Sequence, residues 1–290
     1  VSITTVCVEV AVRDDPGLID ALASLDRQER RPDRVLVAAS TATPEPLLDE
    51  ARRRFPELSL TIRRYPGGVV EARAGSLGDI RETVTAFLDS DERAPPEWLG
   101  RLVAPLESGT VTFSGGPTRP TRAPQGSIER YMVLLEAWIY ADLVPRSVSY
   151  LPLQNTAWRT DRLRQLGFDA RIPFAEDHDL EVRAARAGWV GTYVADAWVY
   201  HDKSTESSFP RWARKRYRYL VALAMSMIKN GELRGRLSER RRPVAHRLRY
   251  IEAMMKPIAL LHAELRWRRV ARSTGPTPEQ DPPPTSSGRG

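Results

Sequence analysis

The chain is 290 residues long, 41% apolar, and carries a formal net charge of +7 with a single cysteine, Cys7. That apolar share supplies a real core and excludes a disordered or fibrous chain. One cysteine excludes an intramolecular disulfide and fits a reducing, cytoplasmic setting, and no apolar run reaches the roughly 18 residues a membrane-spanning helix needs.

The first stretch, residues 1–12, alternates and then runs apolar, with Ile3, Val6, Val8, Val10 and Val12. It reads as a strand ended by Arg13-Asp14-Asp15-Pro16-Gly17, a turn and helix start. It carries Glu9 and lacks a basic lead and a cleavage site, so it does not read as a signal peptide. Leu18, Ile19, Leu22 and Leu25 then repeat at helical spacing. Val35 to Ala39 predicts a second buried strand, Pro46 to Phe55 a second helix, and Leu58, Leu60 and Ile62 a third strand. Gly67-Gly68 marks a loop, and the segment from Ile80 leads into Val84, Ala86, Phe87 and Leu88, a strand covered on both faces. This β-α-β-α-β order predicts an α/β fold: a mostly parallel, Rossmann-like sheet flanked by helices.

The fourth strand runs straight into Asp89-Ser90-Asp91. In open α/β sheets, ligands bind in the crevice beyond the carboxyl ends of the strands. Two carboxylates one residue apart repel unless a cation joins them. The triplet therefore reads either as a metal–diphosphate site or as a turn ahead of the Pro95-Pro96 helix start.

Further on, Leu99 to Leu106 predicts a helix, Val111 to Phe113 a strand, and Ile128 to Leu143 an amphipathic helix with Tyr131, Trp138 and Tyr140. Glu176-Asp177-His178-Asp179 opens a helix that stops at Gly188; acids at a helix start are also favoured by the macrodipole. Trp189 to Tyr200 reads as a strand ending on His201. Phe209 to Ile228 and Ala245 to Val270 predict two basic amphipathic helices, the second carrying Pro257. Residues 273–290 are Pro, Ser, Thr and Gly without apolar anchors and read as a disordered tail.

Charge follows the same division. Arg211 to Arg272 holds 18 basic against 4 acidic residues, whereas residues 1–210 hold 25 against 31. An acidic body over 1–208 thus precedes a basic helical segment over 209–272, and such a segment seeks lipid headgroups, phosphates or nucleic acid. Basic helices with Trp and Leu on the other side lie at membrane interfaces. Nucleic acid is the weaker reading, because the body is acidic and holds no recognised nucleic-acid module.

Three features in this order and spacing resemble the inverting GT-A glycosyltransferases of family 2. They are the strand ending in Asp89-Ser90-Asp91 with Pro-Pro-Glu-Trp-Leu after it; Asn155-Thr156-Ala157 through Gly167-Phe168-Asp169 to Glu176-Asp177-His178-Asp179; and the strand ending in His201 before an aromatic- and Arg-rich helix. The resemblance implies a GT-A-type fold and transfer of a sugar from a nucleotide donor to a glycan or lipid-linked acceptor. It implies Asp177 as catalytic base. Asp91, Asp89 and His201 would hold a divalent cation, Mn²⁺ or Mg²⁺. Val10, Ala11, Arg13, Arg73, Asp89 and Asp91 would border the donor, and Asn155, Glu176, His178, Asp179, Arg211 and Trp212 the acceptor side. Relatives usually carry an acid for the nucleobase at the end of the second strand, where this chain has Ala38-Ala39-Ser40. The Gln-x-x-Arg-Trp mark of processive synthases is reduced here to Arg211-Trp212, so transfer is expected to be non-processive. A cytoplasmic protein, peripheral at the inner face of the cell membrane, is the expectation; a catalytically silent scaffold of this fold is the alternative.

Overall fold

The computed structural model describes residues 4–140, 151–203, 208–232 and 246–274. Strand β1 (Val6–Val12) is buried along its whole length. Its even-numbered valines enter the main core with Leu18, Leu22 and Leu25 of α1 (Leu18–Asp26). Its odd-numbered residues face the opposite layer, where Cys7 meets Leu36 and Ile80, and Ala11 meets Ala38, Tyr65 and Ala72. A strand covered on both faces reads as a continuous apolar run, and the one charged exception, Glu9, therefore stands out.

β2 (Arg34–Ser40), α2 (Glu45–Arg54) and β3 (Leu60–Tyr65) follow as the sequence predicts. Between β3 and β4 (Val84–Leu88) lies a helix the sequence did not signal, α3 (Val69–Ser76). It is two turns long, and Ala72, Arg73 and Ser76 on its buried side give no apolar period. Its start is held by Glu71, whose carboxylate accepts the Gly68 amide at 2.9 Å.

The main sheet has seven strands in the order β3-β2-β1-β4-β8-β6-β9. β8 (Asn155–Arg159) runs antiparallel to both β4 and β6 (Phe113–Gly115); β1, β2, β3 and β4 pair in parallel, as does β6 with β9 (Gly191–Tyr193). The expected mostly parallel sheet flanked by helices is therefore present. The single strand predicted from Trp189 to Tyr200 is two strands in two sheets. After β9 the chain turns at Val194–Ala197, and β10 (Val199–His201) joins a small sheet in the order β5-β10-β7, with β5 (Glu92–Arg93) and β7 (Thr118–Pro120). Gly116 makes this crossing possible: a Cβ there would lie 1.9 Å from the Ala197 carbonyl oxygen. This small sheet carries His201 to the residues that follow Asp91.

α4 (Trp98–Glu107) covers one face of the sheet, and α6 (Thr160–Leu166) and α7 (Glu176–Arg186) lie against the other. α5 (Gly126–Tyr140), α8 (Phe209–Lys229) and α9 (Leu248–Thr274) meet around Tyr131, Trp212 and Leu248. Pro257 lies inside α9 without ending it, and the helix continues to Thr274, past the expected stop at Val270. The predicted end of the aromatic helix at Leu143, and residues 275–290 of the expected tail, lie outside the described residues. No described helix is long and apolar enough to cross a membrane.

The basic segment is built into the body. His178 Nδ1 of α7 lies 2.9 Å from Ser226 Oγ of α8. Asp179 is fully buried, and its oxygens accept from Lys229 at the end of α8, from Asn230 just after it and from Arg183 one turn along α7. Lys229 also reaches Asp169 at 2.8 Å, and Asp169 accepts a two-pronged bond from Arg171. Burial pushes the Asp169 pKa up, but Arg171 and Lys229 outweigh it and hold the carboxyl well below its ordinary range. A depressed carboxylate contributes stability that is present above about pH 4 and lost as pH falls toward the folded value. Asp169→Asn is therefore expected to cost about 1–3 kcal/mol at neutral pH and to flatten the loss of stability on acidification. Urea unfolding of both proteins at neutral and acidic pH checks this; parallel pH curves would refute it.

Candidate active site

The loop after β4 is tight and tied on three sides. The Asp89 amide donates to Glu92 Oε2 and the Glu92 amide to the Asp89 carbonyl, both at 3.1 Å. Ser90 Oγ donates to Asp15 at 3.0 Å, just ahead of α1. Gly17 lies against the same loop: a Cβ there would come within 2.7 Å of the Ser90 carbonyl oxygen. The triplet is thus a turn, as its composition allows, and its two acids leave that turn toward different partners.

Asp89 goes to Arg73. This guanidinium, from the unforeseen helix α3, is 4% exposed and faces three acids. Nη2 donates to Asp89, Nη1 donates to Glu176 at 2.8 Å, and Nε lies 3.7 Å from Glu9 Oε2. Arginine's planar fork holds its donors in fixed directions, so it can meet carboxylates on several sides in a set geometry, where a lysine is a flexible point charge. Burial pushes the Glu9 carboxyl up to about 7 against the pull of Arg73, and Asp89 and Glu176 push the same way as burial. Glu9 is the charged interruption of β1, and Arg73 is its explanation. Because Glu176 opens α7, one cation joins β1, the β4 loop and the start of the helix that carries Asp177.

Asp91 goes to His201. Its Oδ2 lies 3.2 Å from His201 Nε2. Burial opposes ionisation of Asp91, but His201 and the lysines Lys215 and Lys203 hold it down at about 2. On the far side of the ring, Nδ1 has Lys203 Nζ at 2.7 Å, Glu136 Oε1 at 3.5 Å and Glu92 Oε1 at 3.6 Å. Burial and Lys203 lower the His201 pKa, and Asp91 and Glu136 outweigh them and raise it. Glu136, from α5, also accepts from Lys203 and is held at about 2 by His201 and Lys203 against burial. Glu92 is fully buried, and burial drives its pKa well upward. Its Oε1 has no hydrogen-bond partner among the described residues.

These donors suit a hard divalent cation. Carboxylate oxygens and one imidazole nitrogen meet at Asp91 and His201, and the buried Glu92 Oε1 stands behind them. Among the described residues, no group of three or more His, Cys, Asp or Glu side chains is placed to hold a metal ion by itself. An ion that takes its remaining ligands from water and substrate phosphates does not need one. Beside Asp91 opens a cavity of about 340 Å³ lined by Asp15, Asp20, Glu92, Arg93 and Asp202, with Pro16 and Gly17 at its wall. Four aspartates, Asp15, Asp20, Asp91 and Asp202, line it against Arg93, which is paired with Asp20, so its field attracts cations.

Asp177 is half-buried in the first turn of α7, where Oδ1 accepts the His178 amide at 2.7 Å. Three residues earlier, Phe174 has φ 70°, a left-handed backbone for a bulky residue. Such a conformation costs about 1–3 kcal/mol and clusters at functional sites. Phe174 is 41% exposed, and the Arg218 guanidinium from α8 lies 4.4 Å from its ring centre.

Several sequence-predicted site residues lie elsewhere. Asn155 is fully buried: Oδ1 accepts from Trp98 Nε1 and Nδ2 donates to the Pro117 and Ala197 carbonyls, so it clamps the two sheets together. His178 and Asp179 face α8, as described above. Trp212 is fully buried beside Tyr131 and Phe209, while Arg211 is exposed one residue away. Val10 and Ala11 are buried in β1, and Arg13 is exposed just beyond its end. Glu176 is close to the site but held by Arg73. Sequence reasoning missed Glu92, Glu136, Lys203 and Phe174. Glu92 and Lys203 each sit within two residues of a residue it did name, which is the signal that could have found them.

A family model described as glycosyl transferase family group 2 matches residues 84–269. The succinoglycan biosynthesis protein ExoM of Rhizobium meliloti (strain 1021) is 26% identical over 209 residues, covering 68% of this chain and 65% of that protein, so the match spans just under two thirds of the relative's length. The mannosyltransferase PcManGT from Pyrobaculum calidifontis, solved with GDP-Man and Mn²⁺, superposes with a TM-score of 0.61 at 20% identity over 94% of this chain and 76% of that one. S. aureus TarS 1–349, solved with UDP-GlcNAc, gives 0.53 at 17% identity over 94% and 75%. At these identities the two structures establish the fold.

The Arg73 junction makes a direct prediction. Arg73→Ala leaves Glu9, Asp89 and Glu176 facing one another without a cation and should destabilise the chain by roughly 3–5 kcal/mol. Arg73→Lys keeps the charge but loses the fork, and should recover only part of that. Thermal and urea unfolding measure both; an unchanged midpoint for Arg73→Ala would remove the junction's structural role.

Proposed function

The chain belongs to glycosyl transferase family group 2, and from that premise we propose that it transfers a sugar from a nucleoside-diphosphate donor to an acceptor hydroxyl with inversion at the anomeric carbon. One observation carries this reading. The loop holding Asp91 touches His201 on one side and, through Asp89 and Arg73, the start of the helix holding Asp177 on the other.

The chemistry follows from those positions. An acceptor hydroxyl is a weak nucleophile, and a carboxylate within about 2.6–3.2 Å can take its proton as the new bond forms. Asp177 is the base in this reading. Attack opposite the leaving diphosphate passes through an oxocarbenium-like state and inverts the centre. Asp91 and His201 would hold Mn²⁺ or Mg²⁺, which would supply charge neutralisation to a departing diphosphate. Arg73 keeps Asp89 and Glu176 at a fixed separation, so the donor side and the base hold their places relative to each other. Phe174, three residues before Asp177, and Arg218, which lies over the Phe174 ring, are assigned to the acceptor side.

The solved relatives were captured with GDP-Man and with UDP-GlcNAc. A nucleotide sugar is accordingly the donor class proposed here. Ala38-Ala39-Ser40 replaces the usual acid at the end of β2, which speaks against a uridine nucleotide. The acceptor is a glycan or a lipid-linked glycan, and transfer is non-processive. In this reading the charge of the basic helical segment supports a peripheral contact with the anionic inner face of the cell membrane.

A screen of nucleotide sugars with Mn²⁺ or Mg²⁺, read as thermal shift and slow donor hydrolysis, should identify at least one donor. Asp91→Ala should abolish hydrolysis and the metal-dependent shift while the far-ultraviolet circular dichroism stays wild-type. Chelation with EDTA should do the same to the wild type, and added Mn²⁺ should reverse it. Asp177→Asn should lower transfer roughly 100-fold or more; near-normal turnover in that variant would overturn the base assignment.

A further inference from the structure

α9 has two apolar faces. One carries Ala259, Ala263, Met255 and Trp267 and packs on α8. The other carries Tyr250, Met254, Ile258, Leu261 and Leu265, which are 60%, 66%, 62%, 60% and 50% exposed. Steps of four, four, three and four residues keep these five side chains on one stripe of an α-helix. At about 100° per residue, Arg268 and Arg272 continue that stripe beyond Leu265, and Arg247 extends it before Tyr250. Arg269 lies beside it, and all four arginines are exposed. The acids of the helix lie elsewhere: Glu252 is buried against Arg216 and Tyr131, and Glu264 lies off the stripe, 3.8 Å from Arg268.

We propose that this outer face of α9 docks on an anionic lipid surface, the apolar row entering the interface and the terminal arginines meeting headgroup phosphates. The proposal deepens, and rests on, the reading of the basic segment as a membrane contact; it is independent of the chemistry at Asp177. An exposed apolar row can enter an interface while the long arginine side chains at its ends reach up to the headgroups, and anionic headgroups supply the missing counter-charge. A second copy of the chain fits poorly. Whether two such faces meet parallel or antiparallel, arginines oppose arginines at both ends.

Of the basic run of α8 that the sequence brings forward, Arg211, Arg214 and Lys215 stay exposed, but they carry no apolar row beside them among the described residues. There Arg216 is committed to Glu252 and Arg218 to Phe174, and Trp212 is buried. The large exposed apolar side chains of the segment lie mainly on α9 instead.

Co-sedimentation of the 290-residue chain with vesicles of phosphatidylcholine, with and without phosphatidylglycerol, tests the assignment. Two variants accompany the wild type: a serine set at Met254, Ile258, Leu261 and Leu265, and a glutamine set at Arg247, Arg268, Arg269 and Arg272. The wild type should bind the phosphatidylglycerol vesicles in a salt-sensitive way and the neutral ones far less. Both variants should lose binding on the order of tenfold or more, with wild-type circular dichroism and donor hydrolysis. Wild-type binding that both variants retain would overturn the α9 assignment and leave membrane contact standing. No wild-type binding even at low salt would overturn both. A wild-type dimer that the serine set converts to a monomer, with no vesicle binding by either, would assign the face to a second copy and overturn the proposal.

Discussion

One buried cation holds the candidate site together. Arg73 sits where β1, the loop after β4 and the start of α7 come closest, and each contributes an acid to it: Glu9, Asp89 and Glu176. Three carboxylates, two of them buried, repel one another there, and a guanidinium is a side chain whose geometry can face all three. The consequence is mechanical as much as electrostatic. Elements far apart in sequence share a fixed point, and the two acids with proposed chemical roles, Asp91 and Asp177, each lie within two residues of an Arg73 ligand.

The His201 cluster has a different character. Asp91, Glu92, Glu136 and Lys203 surround one imidazole, two of the carboxyls are held low and one is driven high, and a buried oxygen of Glu92 has no described donor. Arg73 answers Asp89 and Glu176 by hydrogen bonds and Glu9 only by proximity, its Nε and Glu9 Oε2 making no hydrogen bond among the described residues. The His201 cluster is open toward a cavity lined by acids. A rigid junction beside an under-satisfied acidic opening suits a site that completes itself only when substrate phosphates and a cation arrive.

Much of this was legible in the sequence because the signals were local. The parallel sheet showed in the apolar runs of β1, β2 and β4, and the site's location showed in acids that begin where β4 ends. What stayed hidden depended on contacts distant along the chain. α3 has too few apolar residues to show a period, yet it supplies the central arginine. Trp189 to Tyr200 reads as one strand because its apolar residues continue through the turn; Gly116, nearly 80 residues earlier, is what allows the break. Asn155, His178 and Asp179 look like site residues by type and neighbourhood. Their partners, Trp98, Ser226, Lys229 and Asn230, come from other elements and turn them to structural work. The basic segment's composition was plain, but only packing shows that α8 turns inward and α9 keeps an apolar face outward.

The most direct measurement is a crystal structure of the chain soaked with Mn²⁺ and whichever nucleotide sugar the donor screen selects. The expected result is a diphosphate beside Asp91 and His201, with the ion between them, Arg73 still joining Asp89 to Glu176, and the anomeric carbon open toward Asp177. A nucleotide bound away from Asp91, or a sugar whose anomeric carbon faces away from Asp177, would contradict it.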